Sequence, residues 1–327
     1  MPAVRWLAKF GAAAAVVLIA CGFATARFGS GLQMPATTTR DGTLITLSRY
    51  LREPVPGIVL LGSSLAFRLK EEYFATPGVR NLALAGGSPV TGLEIVANRS
   101  RLPGLILIEV NVLSRATDTA LVERYSHGDA EPLFFRPVRA AVAAYEQRRH
   151  APLTHAQVAL DLRRLVGQPP SDFDNRNYLD RALEQFNAED PTGAARSNTK
   201  RIEALIRTVE QRGTRVFLFE LPYSEPIEGS RSAVITREII HAAFPDASRW
   251  LPVDVDRREL RWTDGVHLDE RSAVIVTQAM ERALASARLG KQGRRRYRDW
   301  ARKAMIFFRS SLDARPPYGF MPLPGTT

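Results

Sequence analysis

The sequence is poor in the residues that form disulfides and bind metal ions. It contains one cysteine, Cys21, and five histidines in 327 residues. A single cysteine excludes an internal disulfide, so the hydrophobic core must stabilise the fold. The sequence also lacks a Cys/His spacing typical of a metal site and a phosphate-binding loop, which predicts a protein without metal or cofactor. His127, His150, His155 and His241 are interpreted as surface or structural residues.

Acidic residues are absent from the first 27 residues and scarce near the C-terminus. The net charge is +11 and the pI is about 10.3. Residues 1–27 contribute +3 and residues 288–309 contribute +8, so the body, residues 28–287, is neutral. Nucleic-acid binding requires basic residues on a face of the domain, not only at its ends. The sequence therefore argues against nucleic acid as a partner.

An uncharged run of 17 residues, 10–26, follows Arg5 and Lys9. This length is near the lower limit for a spanning helix and slightly long for a signal-peptide core. Positive charge before the run predicts that the body is exported. We expect residues 1–27 to be a single-pass anchor in a bacterial inner membrane, with the domain in the periplasm. The alternative is a lipoprotein signal, because Leu-Ile-Ala precedes Cys21 as it does at lipoprotein cleavage sites.

The C-terminal residues 291–327 divide into a basic segment and a tail. Over residues 296–309, aromatic and apolar residues recur at helical spacing among arginines and lysines. A basic amphipathic helix of this kind suits the surface of an anionic membrane. A solvated helix packed on the domain is the alternative. The composition of the sequence from Pro316 onward predicts a disordered tail.

Residues 57–290 form the predicted domain, in which short apolar runs alternate with helical segments. Strands are predicted at 58–61, 79–85, 105–111, 215–221 and 250–253, and helices at 89–101, 198–211, 232–243 and 270–289. This alternation is typical of an α/β fold with a parallel sheet and helices on both faces. Residues 28–56 are interpreted as a linker and lead-in. The alternation fails over 118–195, which predicts a helical insertion and a candidate lid.

The sequence Gly62-Ser63-Ser64-Leu65 follows the first predicted strand and precedes good helix formers. At such a turn the first helical N–H groups lack partners and can stabilise a developing negative charge. Ser64 is therefore a candidate nucleophile. A loop with a simple helix cap is the alternative interpretation.

A nucleophilic Ser64 would need a base, a group that orients the base, and donors for an oxyanion. His267 and Asp264, three residues apart, can supply the base and the orienting carboxylate. Gly86 and Asn111 end the second and third strands, and the carboxyl ends of parallel strands meet at one edge. The N–H groups of Ser64 and Gly86 and the amide of Asn111 are predicted to form the oxyanion hole. For Asp264 and His267 the alternative is a surface turn, and for Asn111 a strand-end cap.

In chain order these residues resemble the four sequence blocks of the SGNH (GDSL-type) hydrolase superfamily. The matching stretches are Gly62-Ser63-Ser64-Leu65, Asn81 to Gly86, Glu109-Val110-Asn111, and Asp264-Gly265-Val266-His267. The resemblance implies a three-layer, flavodoxin-like α/β fold across residues 58–268. It also implies a Ser64–His267–Asp264 triad.

Two departures from the family pattern concern the surroundings of the nucleophile. Ser63 stands where the family usually has aspartate, a variant found in membrane-tethered relatives. Glu109 replaces a glycine, and Val112 replaces an aspartate. A carboxylate near the oxyanion hole would oppose negative charge unless it points away or is paired.

Two functions of different classes are compatible with the sequence. The first is a serine esterase or O-acyltransferase that acts on an acylated envelope glycan or a small acyl ester, with a membrane-bound acyltransferase as a candidate partner. This function resembles that of membrane-tethered relatives in O-acetylation and D-alanylation of bacterial surface polysaccharides. The second is a non-catalytic binding or assembly subunit of a polysaccharide export machine, which Glu109 favours. Hydrolysis and transfer differ only in the acceptor, and the sequence does not separate them.

Overall fold

The computed structural model describes residues 2–28, 38–126 and 153–288, together with positions 142, 145, 146 and 149. The chain divides into two units, residues 1–281 and residues 282–327. The first unit contains the sheet and all predicted site residues. The described part of the second unit, residues 282–288, is the end of a helix. The predicted basic segment and tail, residues 291–327, lie outside the described residues.

Strands and helices alternate from the first strand to the helix after the third strand, and the fourth strand follows a run of helices. The helices are α1 (Pro2–Phe28), α2 (Thr39–Arg52), α3 (Ser64–Phe67), α4 (Pro89–Ala97), α5 (Thr119–Ser126), α6 (His155–Val166), α7 (Arg176–Ala188), α8 (Thr192–Gln211), α9 (Glu225–Glu228), α10 (Arg231–Ala243) and α11 (Glu270–Arg288). The strands are β1 (Ile58–Leu61), β2 (Val79–Asn81), β3 (Leu105–Glu109) and β4 (Arg215–Phe219).

The four strands form one parallel sheet in the order β2-β1-β3-β4. Ile58 of β1 lies opposite Val79 of β2 on one side and Leu105 of β3 on the other. Leu105 in turn lies opposite Arg215 of β4. Every residue of β1 and β3 is buried, as expected for strands covered on both faces. The prediction of an α/β fold with a parallel sheet is confirmed.

The main core lies between the sheet and three helices. Leu61 of β1, Val90 of α4, Ile202 of α8 and Ile240 of α10 belong to one cluster of buried apolar side chains. Leu60, which points to the other face of β1, is equally buried. The sheet is therefore held between apolar layers, and its carboxyl edge is the part left to carry polar groups.

Residues 28–56 contain more than the predicted linker, because α2 packs against the domain. Thr38 caps α2 by accepting a hydrogen bond from the N–H of Asp41 at 3.1 Å. Leu47 is fully buried in a second cluster with Leu84, Ile95 and a tyrosine of α5. The polar composition of α2 concealed this packing, since few of its residues are apolar.

Several predicted elements differ from the structure at their ends. β2 and β3 end before the predicted boundaries, so Asn111 lies two residues beyond β3. The predicted strand at 250–253 is represented by one parallel bridge between Trp250 and Leu218. α8 begins at Thr192, six residues before the predicted start. The centres of the predicted strands and helices otherwise agree with the structure.

Residues 118–195 are helical where the structure describes them. They include α5, α6, α7 and the start of α8. Neither α6 nor α7 has a fully buried residue. Most of residues 127–152 lie outside the described part, so the predicted insertion is described only at its two ends.

α1 contains a stretch, Ala3–Ala24, that is long and apolar enough to cross a membrane. Its mean hydropathy is 2.0, and none of its apolar window is buried within the protein. The helix is therefore long and apolar enough to serve as a membrane anchor or a signal sequence.

Candidate active site

Gly62 and Ser63 turn the chain from β1 into the short helix α3, whose first residue is Ser64. A Cβ atom on Gly62 would lie 2.7 Å from the Cβ of Ala66 and 2.8 Å from the Cβ of Glu109. Only glycine fits this close approach. The hydroxyl of Ser63 accepts a hydrogen bond from a backbone N–H of α3 at 3.3 Å, which caps the helix. Ser64 is thereby presented at the carboxyl end of a central strand.

Ser64, His267 and Asp264 form a continuous chain of hydrogen bonds. The hydroxyl oxygen of Ser64 lies 2.8 Å from Nε2 of His267. The other ring nitrogen of His267, Nδ1, lies 2.7 Å from Oδ2 of Asp264. Because the carboxylate accepts the proton of Nδ1–H, Nε2 is left as the acceptor that faces the serine hydroxyl. This tautomer and orientation are those needed for a histidine that removes a proton from serine.

The loop around Asp264 holds its carboxylate in place. Oδ1 of Asp264 accepts hydrogen bonds from the backbone N–H groups of His267 at 2.7 Å and Val266 at 3.0 Å. Thr263 closes the loop by donating its N–H to the carbonyl of His267 at 2.8 Å. Burial raises the pKa of Asp264, but the hydrogen bonds from His267 and Val266 outweigh it and hold the pKa below its usual value. The carboxylate is therefore ionised at neutral pH and can stabilise a protonated His267.

Two backbone N–H groups are available near Ser64. Gly86 has a φ of +78°, a left-handed conformation that glycine adopts without strain. Among the described residues, neither the N–H of Ser64 nor that of Gly86 makes a hydrogen bond. Both residues line the same cavity. These N–H groups can therefore donate to an oxygen atom of a bound molecule.

The side chain of Asn111 is fixed by the backbone of Leu221. Nδ2 of Asn111 donates to the carbonyl of Leu221 at 2.8 Å, and Oδ1 accepts from the N–H of Leu221 at 2.7 Å. An amide nitrogen carries two hydrogens, so one remains for another acceptor. Asn111 also lines the cavity. Its predicted role as an oxyanion donor is compatible with this orientation, and so is a role in joining the ends of β3 and β4.

The carboxylate of Glu109 accepts three hydrogen bonds from within the protein and does not line the cavity. The side chain is 0% exposed. Oε2 accepts the N–H and the hydroxyl of Ser63, both at 2.7 Å, and Oε1 accepts the N–H of Asn111 at 2.6 Å. Burial raises the pKa of Glu109, and hydrogen bonds from Ser63, Asn111 and Val112 oppose part of that rise. Glu109 therefore connects the residue before the nucleophile to the residue that carries the amide.

The cavity in front of Ser64 has a volume of about 150 Å³. All five predicted site residues line it: Ser64, Gly86, Asn111, Asp264 and His267. Residues of the predicted insertion also contribute, since Ala182, Gln185 and Phe186 of α7 form part of the wall. The segment predicted as a candidate lid thus borders the site. That this segment closes over the cavity stays a prediction.

Sequence reasoning missed the contacts that depend on tertiary structure. The pairing of Glu109 with Ser63 joins residues 46 positions apart, although a charged residue at the end of an apolar strand was a visible signal. The wall residues on α7 gave no signal, because an amphipathic surface helix has the same pattern. Within residues 2–28, 38–126 and 153–288, no group of three or more His, Cys, Asp or Glu side chains is placed to hold a metal ion.

Neither a model of a known protein family nor a curated protein matches this sequence.

Proposed function

We propose that this protein is a membrane-tethered serine esterase or O-acyltransferase of the SGNH type. Its substrate would be a short acyl ester, of the acetyl type, on a bacterial envelope or exported polysaccharide. The observation that carries the proposal is the hydrogen-bond chain from Ser64 through His267 to Asp264 at the edge of a cavity. An isolated serine is a weak nucleophile, and this arrangement is the one that activates it.

In the proposed reaction, Ser64 Oγ attacks the carbonyl carbon of the ester while its proton passes to Nε2 of His267. The bond to the alcohol oxygen then breaks, and the departing alcohol takes that proton from His267. The acyl group remains on Ser64. Asp264 keeps the imidazole oriented and stabilises its positive charge throughout.

The second half of the reaction uses the same groups in reverse. An acceptor hydroxyl gives its proton to His267 and attacks the acyl carbon. The Ser64–acyl bond breaks, and the proton returns from His267 to Ser64. Water as the acceptor gives hydrolysis, and a sugar hydroxyl gives transfer.

The oxyanion formed at each attack would be stabilised by the N–H groups of Ser64 and Gly86 and the amide of Asn111. Removing one such donor typically slows an enzyme by about 10²–10³-fold. The absence of other partners on these two N–H groups in the described residues supports this assignment.

The sheet supports the SGNH type without establishing it. The order β2-β1-β3-β4 is that of the first four strands of a flavodoxin-like sheet. Ser64, Gly86 and Asn111 follow β1, β2 and β3, which is where ligands bind in parallel sheets. The four sequence blocks of the family thus converge on one cavity.

We further propose that α1 anchors the protein in the inner membrane and that the domain faces the periplasm. Arg5 and Lys9 precede the apolar stretch, which favours a cytoplasmic N-terminus. The alternative, a lipid anchor on Cys21, would place the domain on the same side of the membrane. Either arrangement suits a partnership with a membrane-bound acyltransferase that supplies acyl groups.

Glu109 was the residue that favoured the alternative function, a binding or assembly subunit. A carboxylate near the oxyanion hole would oppose the negative charge that forms there during catalysis. The side chain is buried, accepts three hydrogen bonds and does not line the cavity. A carboxylate that has partners and points away from the cavity is compatible with an oxyanion hole there. The arrangement of Glu109 therefore supports the enzymatic proposal.

Turnover of p-nitrophenyl acetate by the full-length chain in detergent tests the proposal. We expect Ser64→Ala and His267→Ala each to lower kcat by at least about 10³-fold. His155→Ala, an exposed histidine at the start of α6, is the matched control and should retain full turnover. A folded parent protein without turnover, or a Ser64→Ala variant as active as the parent, would contradict the proposal.

A further inference from the structure

We propose that one face of α7, together with Phe173, is a binding subsite for the pyranose rings of a glycan and continues the cavity of Ser64. This inference rests on the proposed function for the role of Ser64, but the binding of sugar can be tested separately. The residues that would form the subsite are Phe173, Tyr178, Gln185 and Glu189.

The face is defined by helical spacing. Ala182 and Gln185 of α7 line the cavity and are three residues apart, and Glu189, the residue directly after the helix, lines it too. Tyr178 stands four residues before Ala182, so it lies on the same face. Four residues of α-helix span about 6 Å. Tyr178 therefore lies about one turn beyond the described cavity wall.

Phe173 and Tyr178 form an exposed aromatic pair. Their ring centroids are 6.2 Å apart with an interplanar angle of 31°. Phe173 is 61% exposed and Tyr178 is 55% exposed. A contiguous exposed apolar patch with polar residues at its rim is a mark of a binding site, and aromatic rings supply a flat apolar surface for one. A pyranose ring presents a face of C–H groups that fits against an aromatic ring, while its hydroxyls point outward.

The pair is fixed relative to the triad loop. Nδ2 of Asn175, between the two aromatic residues, donates to the carbonyl of Trp262 at 2.7 Å. Leu179, next to Tyr178, packs so closely on Gly265 that a Cβ atom on Gly265 would clash with Cδ1 of Leu179. Gly265 is flanked by Asp264 and Val266 of the catalytic loop. A sugar held by the aromatic pair would therefore keep a defined position relative to His267.

Polar side chains in the cavity wall complement the aromatic pair. Gln185, Glu189 and Arg115 line the cavity. In the part of the chain that the structure describes, none of these side chains makes a hydrogen bond or an ion pair. Sugar hydroxyls both donate and accept hydrogen bonds, so they suit a wall with a carboxylate, an amide and a guanidinium. An apolar contact surface with a few convergent polar groups is typical of small-molecule subsites.

Binding is measured by titration calorimetry of the full-length Ser64→Ala variant in detergent with cellohexaose, xylohexaose and chitohexaose. We expect saturable binding of at least one of them. Adding Tyr178→Ala or Phe173→Ala should weaken it about tenfold, and Tyr178→Phe should preserve it because the ring remains. Glu184→Ala, an exposed residue on the opposite side of α7, should leave the affinity unchanged.

Failure of the subsite and failure of the proposed function give different results. If the subsite exists, Tyr178→Ala in the otherwise native chain should lose about tenfold in kcat/KM on O-acetylated xylohexaose, whereas Glu184→Ala should keep the kcat/KM of the parent. Sugar binding that depends on Tyr178, without any ester turnover, would keep the subsite and overturn the enzymatic function. Absence of binding by all three oligosaccharides, or equal affinity of the Tyr178→Ala variant, would overturn the subsite.

Discussion

At the scale of single residues, the position of Ser64 depends on side chains that take no part in bond making. Ser63 caps α3 and donates its hydroxyl hydrogen to Glu109. Glu109 accepts the N–H of Asn111 with its other oxygen. Glu109 is therefore a positioning residue between the nucleophile and the proposed oxyanion amide. Its three hydrogen bonds are all donated to it, which offsets part of the cost of burying a carboxyl group in the core.

Glu109→Gln should impair catalysis and stability together. A carboxylate offers two acceptor oxygens, whereas an amide offers one acceptor and one donor. The donor would face either the groups of Ser63 or the N–H of Asn111, which leaves a buried donor unsatisfied. We expect a loss of about 1–3 kcal/mol in stability. Displacement of Ser64 or Asn111 should lower kcat by about 10²-fold with little change in KM.

Urea unfolding and steady-state kinetics on p-nitrophenyl acetate measure both effects of Glu109→Gln. Glu184→Gln, at an exposed glutamate of α7, is the control and should change stability by less than about 0.5 kcal/mol. If Glu109→Gln kept the kcat of the parent in folded protein, the positioning role would be refuted.

Residue types and spacing were sufficient to find the triad candidates, because each stands at a strand end or in a short loop. The structure brings Ser64, Asp264 and His267 into hydrogen-bond contact, and their catalytic roles stay a prediction. The role of Glu109 could not be predicted, since its partner Ser63 lies beyond the end of a different strand and the sequence does not show which way a buried carboxylate points.

At the scale of elements, the helix that precedes the sheet is the main difference from expectation. α2 is tied to the domain by Leu47 and by a ring of charges. Arg49 and Arg80 each contact both Glu53 and Glu71. Arg80 belongs to β2, so this ring joins α2 to the sheet. α2 follows residues 29–37, which separate it from α1 along the chain.

Leu47→Ala should destabilise the domain without changing the chemistry. Leu47 is 0% exposed, and shortening a fully buried leucine to alanine typically costs about 2–5 kcal/mol. The triad contacts do not involve α2, so kcat per folded molecule should equal that of the parent. Urea unfolding gives the first quantity, and turnover at 25 °C corrected for the folded fraction gives the second.

Val55→Ala is the matched control for Leu47→Ala, because Val55 is 43% exposed and should cost less than about 0.5 kcal/mol. Equal stability of the Leu47→Ala and Val55→Ala variants would mean that α2 is only a linker. Leu47→Ala also provides a destabilised reference against which a specific effect of Glu109→Gln on kcat can be recognised.

The strands were predictable at this scale and α2 was not, for physical reasons. Ile58–Leu61 and Leu105–Glu109 are short, nearly continuous apolar runs, a pattern that buried parallel strands require. α2 is stabilised by tertiary packing of a few apolar residues, which helix propensity alone does not indicate. The ends of strands depend on where the chain leaves the sheet, as at Asn111.

At the scale of the whole molecule, the charge distribution separates the ends of the chain from its body. The neutral body contains the sheet and the cavity, and the positive charge lies in residues 1–27 and 288–309. The apolar stretch of α1 agrees with the predicted anchor or signal sequence. Under the proposed function, this distribution of charge and apolar residues would hold the domain near an anionic membrane surface.

The proposed chemistry depends most on one property, the activation of Ser64 by His267. A fluorophosphonate probe reports this property directly, because it forms a covalent bond only with an activated nucleophile, whatever the natural substrate. Full-length protein in detergent is treated with the probe, digested and analysed by mass spectrometry. We predict that the label is found on Ser64, is absent from Ser63, and is lost in His267→Ala. Folded protein that remains unlabelled, or a label elsewhere that persists in Ser64→Ala, would contradict the assignment of Ser64 as the nucleophile.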